Sequence, residues 1–355
     1  MLKQLHIDDL RIICQARLKP SAGINVVTGN NGSGKTTVLE AVHLLSRGRS
    51  FRHREAAPLI REGTDKTLLV AFLESTSGGK HVIGMERSRT DVTVRVDGRP
   101  AGKRSELLRL FPVQWISPEP QLLLTDSPAV RRSFIDRGLF HVEHRYLEVL
   151  QQYNRALEQR NAELRRGGQE LLSWEAQMDN AAQRLDAWRV AYLDQLLAVT
   201  RALLVDWDLQ VDLDARYQRG WREGALLREV LYESRAGDRK QKFTAAGPHR
   251  ADLVIKSANQ RSGRRLSRGQ LKMLACALFF AQSELTSQVA ERREILLFDD
   301  LPSELDESNR KKLLASIEAR YAQAFITAMT LAELTTDEAV SEVFHVEHGD
   351  FTGAG

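Results

Sequence analysis

Residue types that could do chemistry cluster first in a glycine-rich run near the start of the chain: Gly29, Asn30, Asn31, Gly32, Ser33, Gly34, Lys35, Thr36 and Thr37. Glycines let such a loop wrap around a phosphate group with its backbone N–H groups pointing inward. A helix that begins at the end of the loop adds its positive dipole end. Lys35 can reach the β- and γ-phosphates of a nucleotide, and the Thr36 hydroxyl can bind Mg²⁺. We therefore predict that residues 29–37 bind ATP with Mg²⁺.

A second candidate lies near the other end of the chain, where the apolar run Ile295–Phe298 is followed by Asp299 and Asp300. A short, fully apolar run of this length is typical of a buried strand. Asp299 at the strand end could bind Mg²⁺, and Asp300 could orient or deprotonate an attacking water. Many strands end in acidic loops, so the pair is informative only together with the glycine-rich loop. Together they predict a nucleotide-hydrolysing site with Lys35 and Asp300 as catalytic residues.

A third segment, Ser267-Arg268-Gly269-Gln270, places a hydroxyl and backbone N–H groups where a helix should begin. Taken alone, it is explained by an ordinary helix N-cap at Ser267. The order of the three segments along the chain, however, resembles the ABC-type ATPases. That resemblance implies that Ser267, Gly269 and Gln270 contact the γ-phosphate of an ATP molecule held by a second subunit.

The elements that must position these residues alternate between strand and helix at both ends of the chain. Residues 129–204 contain no proline and are rich in Leu, Ala, Glu, Gln and Arg, which predicts helices. Strand-like patterning returns at 209–213 and 251–255. We predict an α/β, ABC-type P-loop ATPase head formed by both termini, with an inserted all-helical second lobe. The expected boundaries are 1–128 and 241–355 for the head and 129–240 for the helical lobe.

Composition narrows the functional classes. The 355 residues carry a net charge of +4 and two cysteines, and no apolar run approaches the length of a membrane span. We expect a cytoplasmic protein with no membrane partner. An arginine cluster follows the predicted P-loop helix and could bind DNA phosphates, although a solvated surface explains it equally well: Arg47, Arg49, Arg52 and Arg54.

Longer segments give a more specific resemblance, to the RecF family of bacterial recombination-repair ATPases, which are related to SMC proteins. The similar segments are GNNGSGKT (29–36), ISPEPQLLL (116–124), SPAVRRSFIDRGLFHVE (127–143), ALEQRNAELR (156–165), GPHRADL (247–253), LSRGQLKML (266–274) and LLFDDLPSELD (296–306). The resemblance implies an ATP-dependent homodimer that binds DNA at single-strand gaps and single-strand/duplex junctions. It also implies cooperation with RecO and RecR in loading RecA.

The same resemblance suggests roles for further residues. Residues 303–306 would lie beside the dimer seam, and residues 116–121 would form a lid that senses Mg²⁺ and the γ-phosphate. The sensing residue stays open between Gln114, Glu119 and Gln121, and His249 and Arg250 receive no role. ABC transporters have Glu and His where this chain has Asp300 and Thr327, which predicts slow hydrolysis.

Three other interpretations compete with this one. The main alternative is a transporter-type ABC ATPase subunit, which lacks support because the switch histidine is missing and the insertion is long. An SMC-type structural head would need a far longer coiled coil in the insertion. A small-molecule kinase would leave the Ser267–Gln270 segment unexplained.

Overall fold

The fold comes from a computed structural model that describes residues 1–52, 57–75, 78–102, 104–167, 170–259, 266–290, 293–334 and 340–353. Within these ranges no helix is both long and apolar enough to cross a membrane. The chain divides into two compact units. The first comprises Met1–Pro120 with Arg292–Gly355, and the second comprises Gln121–Glu291.

The first unit contains two six-stranded sheets and their helices. Its strands are β1 (Leu2–Leu10), β2 (Ile13–Leu18), β3 (Gly23–Thr28), β4 (Lys66–Glu74), β5 (Lys80–Ser88), β6 (Val92–Val96), β7 (Arg99–Pro100), β8 (Val113–Ile116), β11 (Ile295–Phe298), β12 (Gln323–Ala328), β13 (Val340–Glu347) and β14 (Asp350–Gly353). Its helices are α1 (Lys35–Arg47), α2 (Arg104–Leu110) and α9 (Glu307–Arg320).

The sheet that positions the candidate site has the strand order β14-β13-β3-β12-β11-β8. Its five strands from β13 to β8 run parallel, and β14 pairs antiparallel with β13. β11 and β12 are buried at every position, which explains the continuous apolar sequence of β11 and the apolar run 324–326 of β12. Because parallel strands end at the same edge, the residues that follow β3, β11 and β12 come together there.

The other sheet is antiparallel, in the order β2-β1-β4-β5-β6-β7. Its strands alternate between buried and more exposed residues, as in β4, where Thr67, Leu69, Ala71 and Leu73 are buried. Helix α1 packs against strands of both sheets, so it is buried on most of its surface. One hydrophobic core joins α1 to the facing residues of the two sheets.

The second unit is mainly helical. Its helices are α3 (Leu122–Thr125), α4 (Pro128–Val142), α5 (Tyr146–Arg166), α6 (Leu171–Asp206), α7 (Leu227–Gln241) and α8 (Arg268–Ala290). It also contains a two-stranded antiparallel sheet of β9 (Val211–Gln218) and β10 (Asp252–Asn259). The lobe expected to be all helical therefore includes a small sheet, built from the two segments that carried strand-like patterning.

The two compact units divide after residues 120 and 291, whereas the boundaries predicted from sequence follow residues 128 and 240. Residues 241–291, which the sequence interpretation assigned to the ATPase head, make their contacts within the second unit. Helix α8 explains part of this difference because it packs against α4 and α6. The functional boundaries at 128 and 241 stay a prediction.

Candidate functional site

The glycine-rich loop connects β3 to α1 in the first unit. Gly29 has φ 146°, and a Cβ there would lie 2.2 Å from the Val346 carbonyl oxygen and 2.7 Å from Ser33 Oγ. Only glycine fits this approach to β13. The Gly349 N–H, in the turn between β13 and β14, donates to the Ser33 carbonyl at 2.9 Å. The C-terminal hairpin therefore braces the loop from outside.

Lys35, the first residue of α1, folds back over the loop. Its Nζ donates to the carbonyl oxygens of Gly29 at 2.6 Å and Asn30 at 2.9 Å. Asn30, Asn31 and Gly32 are exposed, while Ser33 and Gly34 are buried. The loop thus holds its lysine beside exposed backbone at the start of a helix, which is the arrangement that binds phosphate.

The Asp299 carboxylate is held by two threonine hydroxyls at the edge where the parallel strands end. Thr36 Oγ1 donates to Asp299 Oδ1 at 3.0 Å, and Thr327 Oγ1 donates to the same oxygen at 2.6 Å. Asp299 is 5% exposed and follows β11 directly. The structure therefore brings together Thr36 and Asp299, the two metal ligands predicted from sequence.

Asp300 adopts a left-handed backbone conformation, with φ 52°. Such a conformation is uncommon for residues other than glycine. The Asp300 N–H donates to Thr327 Oγ1 at 2.7 Å, which fixes this turn. Thr327 thereby links the two aspartates, since its hydroxyl accepts from Asp300 and donates to Asp299.

Burial sets the electrostatics of the site. It raises the pKa of Asp299, while hydrogen bonds from Thr327 and Thr36 and the positive charge of Arg52 act in the opposite direction. Partial burial also lowers the pKa of Lys35, against the attraction of Asp299, Asp300 and Glu333. A phosphate group and a divalent cation would compensate these partly dehydrated charges.

The donor set fits Mg²⁺. This ion binds proteins through one or two oxygen ligands and takes its remaining ligands from water and phosphate. The Thr36 hydroxyl and Asp299 carboxylate supply two such oxygens beside the phosphate-binding loop. When bound there, Mg²⁺ would neutralise developing charge on phosphoryl oxygens. Lys35 would bind the phosphates, and Asp300 would orient a water molecule.

The Ser267–Gln270 segment lies in the second unit, at the start of α8. The Gln270 N–H donates to Ser267 Oγ at 3.2 Å, and the Ser267 N–H donates to Gln270 Oε1 at 3.0 Å. This reciprocal pair is a capping box. The ordinary N-cap considered from sequence is therefore present. A contact of Ser267, Gly269 and Gln270 with a second subunit's nucleotide stays a prediction.

The arginines proposed to bind DNA differ in their environments. Arg49 and Arg52 are exposed, Arg47 is half-buried in the last turn of α1, and Arg54 lies outside the described residues. Arg52 also lies within electrostatic range of Asp299, as the pKa of that carboxyl indicates. Its charge therefore acts on the nucleotide site, which sequence reasoning did not anticipate.

The three residues considered as the sensor of Mg²⁺ and the γ-phosphate differ in their burial. Glu119 is exposed and Gln121 is half-buried, whereas Gln114 lies inside β8 with no exposed surface. Neither amide atom of Gln114 has a hydrogen-bond partner within the described ranges. In the segment 303–306, Asp306 caps α9 by accepting a hydrogen bond from the Asn309 N–H at 2.8 Å.

His249 has a structural partner on each ring nitrogen. Its Nε2 lies 3.0 Å from the Thr244 carbonyl oxygen, which can only accept, so Nε2 carries the proton. Nδ1 therefore accepts from the Tyr153 hydroxyl at 2.7 Å. Burial lowers the pKa of His249 to about 4 and keeps the ring neutral. Both ring nitrogens of His249 are therefore used in contacts within the second unit.

Thr327 is the residue that sequence reasoning most clearly missed. The sequence identified it only as the replacement for a histidine, and nothing local marked its hydroxyl as a partner of both aspartates. The bracing hairpin of β13 and β14 was missed as well. Its only sequence signal is the His348-Gly349 turn, where both residues have positive φ.

Together, these features define a class of protein. A phosphate-binding loop follows β3, a carboxylate follows β11, and β12 lies between these two strands in a parallel sheet formed by both ends of the chain. A predominantly helical unit is inserted between the two ends. This is the architecture of an ABC-type P-loop ATPase head.

Comparison with known proteins makes the assignment specific. The family model described as RecF/RecN/SMC N terminal domain matches residues 1–352. The DNA replication and repair protein RecF of Pseudomonas entomophila is 39% identical over 361 residues, covering 99% of this chain and 98% of the relative. RecF of Shewanella denitrificans is 37% identical over 356 residues, covering 99% of each chain. The chain belongs to the RecF family.

Solved structures agree with this assignment. A structure of the recombination mediator protein RecF-ATP in the RecFOR pathway has a TM-score of 0.86 and 26% identity, and 99% of each chain is covered. An Smc head bound to the winged-helix domain of ScpA has a TM-score of 0.62 at 14% identity, covering 99% of this chain and 96% of the Smc chain, and it shows a shared fold. Both the family resemblance and the ABC-type fold predicted from sequence are confirmed.

Proposed function

We propose that this chain is an ATP-dependent DNA-binding protein of recombinational repair in the cytoplasm. In this proposal ATP and Mg²⁺ bind between two copies of the chain and produce a dimer that holds DNA at single-strand gaps or junctions. The dimer helps RecO and RecR to load RecA. Support comes from the family, since relatives are named DNA replication and repair proteins and a solved relative is described with ATP in the RecFOR pathway.

The observation that carries the proposal is the hydrogen bond between Thr36 and Asp299. It joins the helix after the phosphate-binding loop to a carboxylate 263 positions away in the chain. Thr36 and Asp299 are thus hydrogen-bonded to each other, and the Asp299 carboxylate lies within electrostatic range of Lys35. A site of this construction supports binding of ATP with Mg²⁺.

Slow hydrolysis is part of the proposal. Asp300 has a shorter side chain than glutamate, and its backbone is fixed by Thr327. A carboxylate on a short, constrained side chain reaches less far toward an attacking water. Hydrolysis then limits the lifetime of the DNA-bound dimer, so that it acts as a timer. A turnover rate like that of transporter ATPases would contradict this part.

DNA contacts are proposed for the arginines that follow α1. Arg49 is exposed, and its charge reversal in Arg49→Glu should weaken duplex binding and flatten the salt dependence of binding. Because Arg52 also acts on Asp299, Arg52→Glu should weaken both DNA and nucleotide binding. Duplex titrations at several salt concentrations, together with ATP titrations, separate these roles. An unchanged affinity for duplex DNA and an unchanged salt slope in both variants would exclude these arginines as DNA contacts.

The test of the whole proposal is sedimentation of the protein with and without ATP-Mg²⁺, and with gapped duplex DNA. ATP should convert monomer to dimer, and the dimer should sediment with the DNA. Lys35→Ala should abolish both changes because the ammonium that binds the phosphates is lost. Lys66→Ala is the matched control, since Lys66 forms an exposed ion pair with Glu86 on the antiparallel sheet. A protein that binds ATP but stays monomeric and ignores DNA would contradict the proposal.

A further inference from the structure

The second unit contains a cavity of about 690 Å³ that the ATP site does not use. It lies beside β9 and the segment after it, and the residues that matter are Asp186, Arg216, Tyr217, Arg219, Trp221 and Arg250. Its volume is in the range of small-ligand sites, which usually measure about 300–1,000 Å³. All of these residues belong to the second unit, whereas the phosphate-binding loop belongs to the first.

A close backbone approach builds this cavity. Gly220 has φ 92°, and a Cβ there would lie 2.3 Å from the Gly247 carbonyl oxygen and 2.7 Å from the Ala251 nitrogen. The Gly247 N–H donates to the Gly220 carbonyl at 3.0 Å. The absence of a side chain at Gly220 therefore lets the 247–251 segment approach the chain after β9. This contact brings Arg250 to the same cavity as Arg219 and Trp221.

The arginines of the cavity fall into two kinds. The Arg219 guanidinium carbon lies 4.0 Å from the centroid of the Trp221 ring, and Arg219 also pairs with Asp186 at 2.9 Å. Arg216 and Arg250 are exposed, and neither forms an ion pair in the part of the chain that the structure describes. The Arg250 guanidinium carbon lies 5.2 Å from the centroid of the Phe243 ring, and the lining also includes Glu223. The cavity thus offers a stacked aromatic surface and two positive charges without ion pairs.

Two partly buried polar side chains, those of Asp186 and Tyr217, form part of the cavity wall. The Asp186 carboxylate pairs with Arg219 and hydrogen-bonds to the Tyr217 hydroxyl, which also lies within hydrogen-bonding range of Arg189. Burial raises the pKa of Tyr217 to about 12, so the phenol stays a neutral donor. These two groups are therefore satisfied largely within the protein, and the Arg219–Trp221 stack and the two exposed arginines are the groups available to a ligand.

We propose that this cavity binds one unpaired nucleotide of single-stranded nucleic acid. The base extends the Arg219–Trp221 stack, since aromatic and arginine side chains recognise unpaired bases in this way. The phosphate lies between Arg216 and Arg250. A duplex does not enter, because its bases are stacked and paired. The proposal draws on the proposed function only in taking DNA as the ligand.

The first test measures binding of fluorescein-labelled dT12 by anisotropy, without ATP, in variants of the full chain. Trp221→Leu should weaken binding roughly ten-fold, the usual effect of losing one base–aromatic stack, whereas Trp221→Phe should stay near wild type. Arg216→Ala should weaken binding and reduce the salt slope by about 0.7, the value for one phosphate contact on a single strand. The matched control is Arg239→Ala, an exposed arginine of α7 outside the cavity. Unlabelled duplex should compete poorly.

Folding must be checked, because Trp221 Nε1 donates to the Ala225 carbonyl at 3.2 Å. Unfolding midpoints of the variants serve this purpose, and Arg216→Ala tests the proposal without touching that bond. A second measurement uses dT12 with one 5-iodouracil and maps the photocrosslink by mass spectrometry. Crosslinking to Tyr217 or Trp221 supports the proposal, and crosslinking only elsewhere overturns it.

The remaining outcomes are also decisive. Wild-type affinity in Trp221→Leu and Arg216→Ala overturns the proposal and leaves the ATP-dependent dimer unaffected. Binding of free dTMP without binding of dT12 overturns the proposal that the cavity binds a nucleic-acid strand. The cavity would then be a site for a free nucleotide. Conversely, loss of ATP-driven dimerisation with intact dT12 binding would contradict the proposed function and leave the cavity assignment in place.

Discussion

Two charged sites, one in each unit of the chain, are stabilised in different ways. In the first unit, Asp299 is held by two neutral hydroxyls and Lys35 by backbone carbonyls. In the second unit, Arg160 is fully buried and donates to Glu175, Asp238 and Thr244. The first arrangement leaves both charges without an ion pair among the described residues, and the second neutralises its charges through ion pairs.

This difference in pairing distinguishes charges that can attract a ligand from charges that act as structural cross-links. Hydroxyls and carbonyls orient a charged group without cancelling it, so Asp299 and Lys35 stay able to attract a cation and a phosphate. A buried arginine with two carboxylate partners has little attraction left for a ligand, and its bonds act as structural cross-links. The ATP site and the Arg160 cluster are thus distinguished by how completely their charges are paired.

The largest expected effect is on the Arg160 cluster. Arg160→Ala leaves Glu175 and Asp238 buried with less compensation, which should lower the free energy of unfolding by about 3–5 kcal/mol. Chemical denaturation measures it. Arg222→Ala is the control, because Arg222 forms an exposed pair with Glu233 and should change stability by less than about 1 kcal/mol. Equal effects of the two variants would remove the distinction between the clusters.

His249 should make stability depend on pH. Its pKa is about 4 in the folded chain against an ordinary value of about 6.5, so the unfolded chain binds a proton first as the pH falls. The free energy of unfolding should therefore be unaffected above pH 6.5 and should fall by up to about 3 kcal/mol as the pH approaches 4. Denaturation of wild type and His249→Gln at pH 7.5 and pH 4.5 tests this. The variant should lose less stability on acidification, and an identical loss would refute the expectation.

The smallest effect is expected at Thr327. Thr327→Val keeps the shape but removes the donor to Asp299 and the acceptor for the Asp300 N–H. Misplaced aspartates should lower kcat roughly ten-fold, equivalent to about 1.4 kcal/mol, with KM for ATP nearly unchanged. Steady-state kinetics at several Mg²⁺ concentrations measure both constants. Thr327→Ser, which keeps the hydroxyl, should restore kcat, and failure to do so would assign the loss to packing.

Much of the fold and of the ATP site could be predicted from sequence because the signals are local. The glycines, Lys35 and Thr36 lie within one loop, and the run before Asp299 is apolar at every position. Knowing that both segments end strands of one parallel sheet is enough to expect them at the same edge. The family resemblance followed from longer segments and was confirmed over nearly the whole chain.

Three of the segments that resemble the RecF family lie in the second unit, and only the three-dimensional structure shows which residues they contact. Residues 127–143 contact the 247–253 segment, and residues 156–165 contact Thr244, just before that segment. Arg131 pairs with Asp252 at 2.7 Å, Arg132 donates to the Ala251 carbonyl at 2.7 Å, and the Asn161 side chain accepts from the Thr244 N–H at 2.8 Å. Helical periodicity predicted the helices but gave no sign that their arginines fix one irregular loop.

The sequence by itself therefore determined the phosphate-binding loop, the acidic strand end and the alternation of strands and helices. These depend on neighbours in the chain, whose backbone preferences and spacing can be read directly. Only the tertiary structure decided that Thr327 links the two aspartates, that the hairpin of β13 and β14 braces the loop, and that Gly220 brings Arg250 to Trp221. Each of these contacts joins residues far apart in sequence, and its geometry depends on strand order and on close backbone approach.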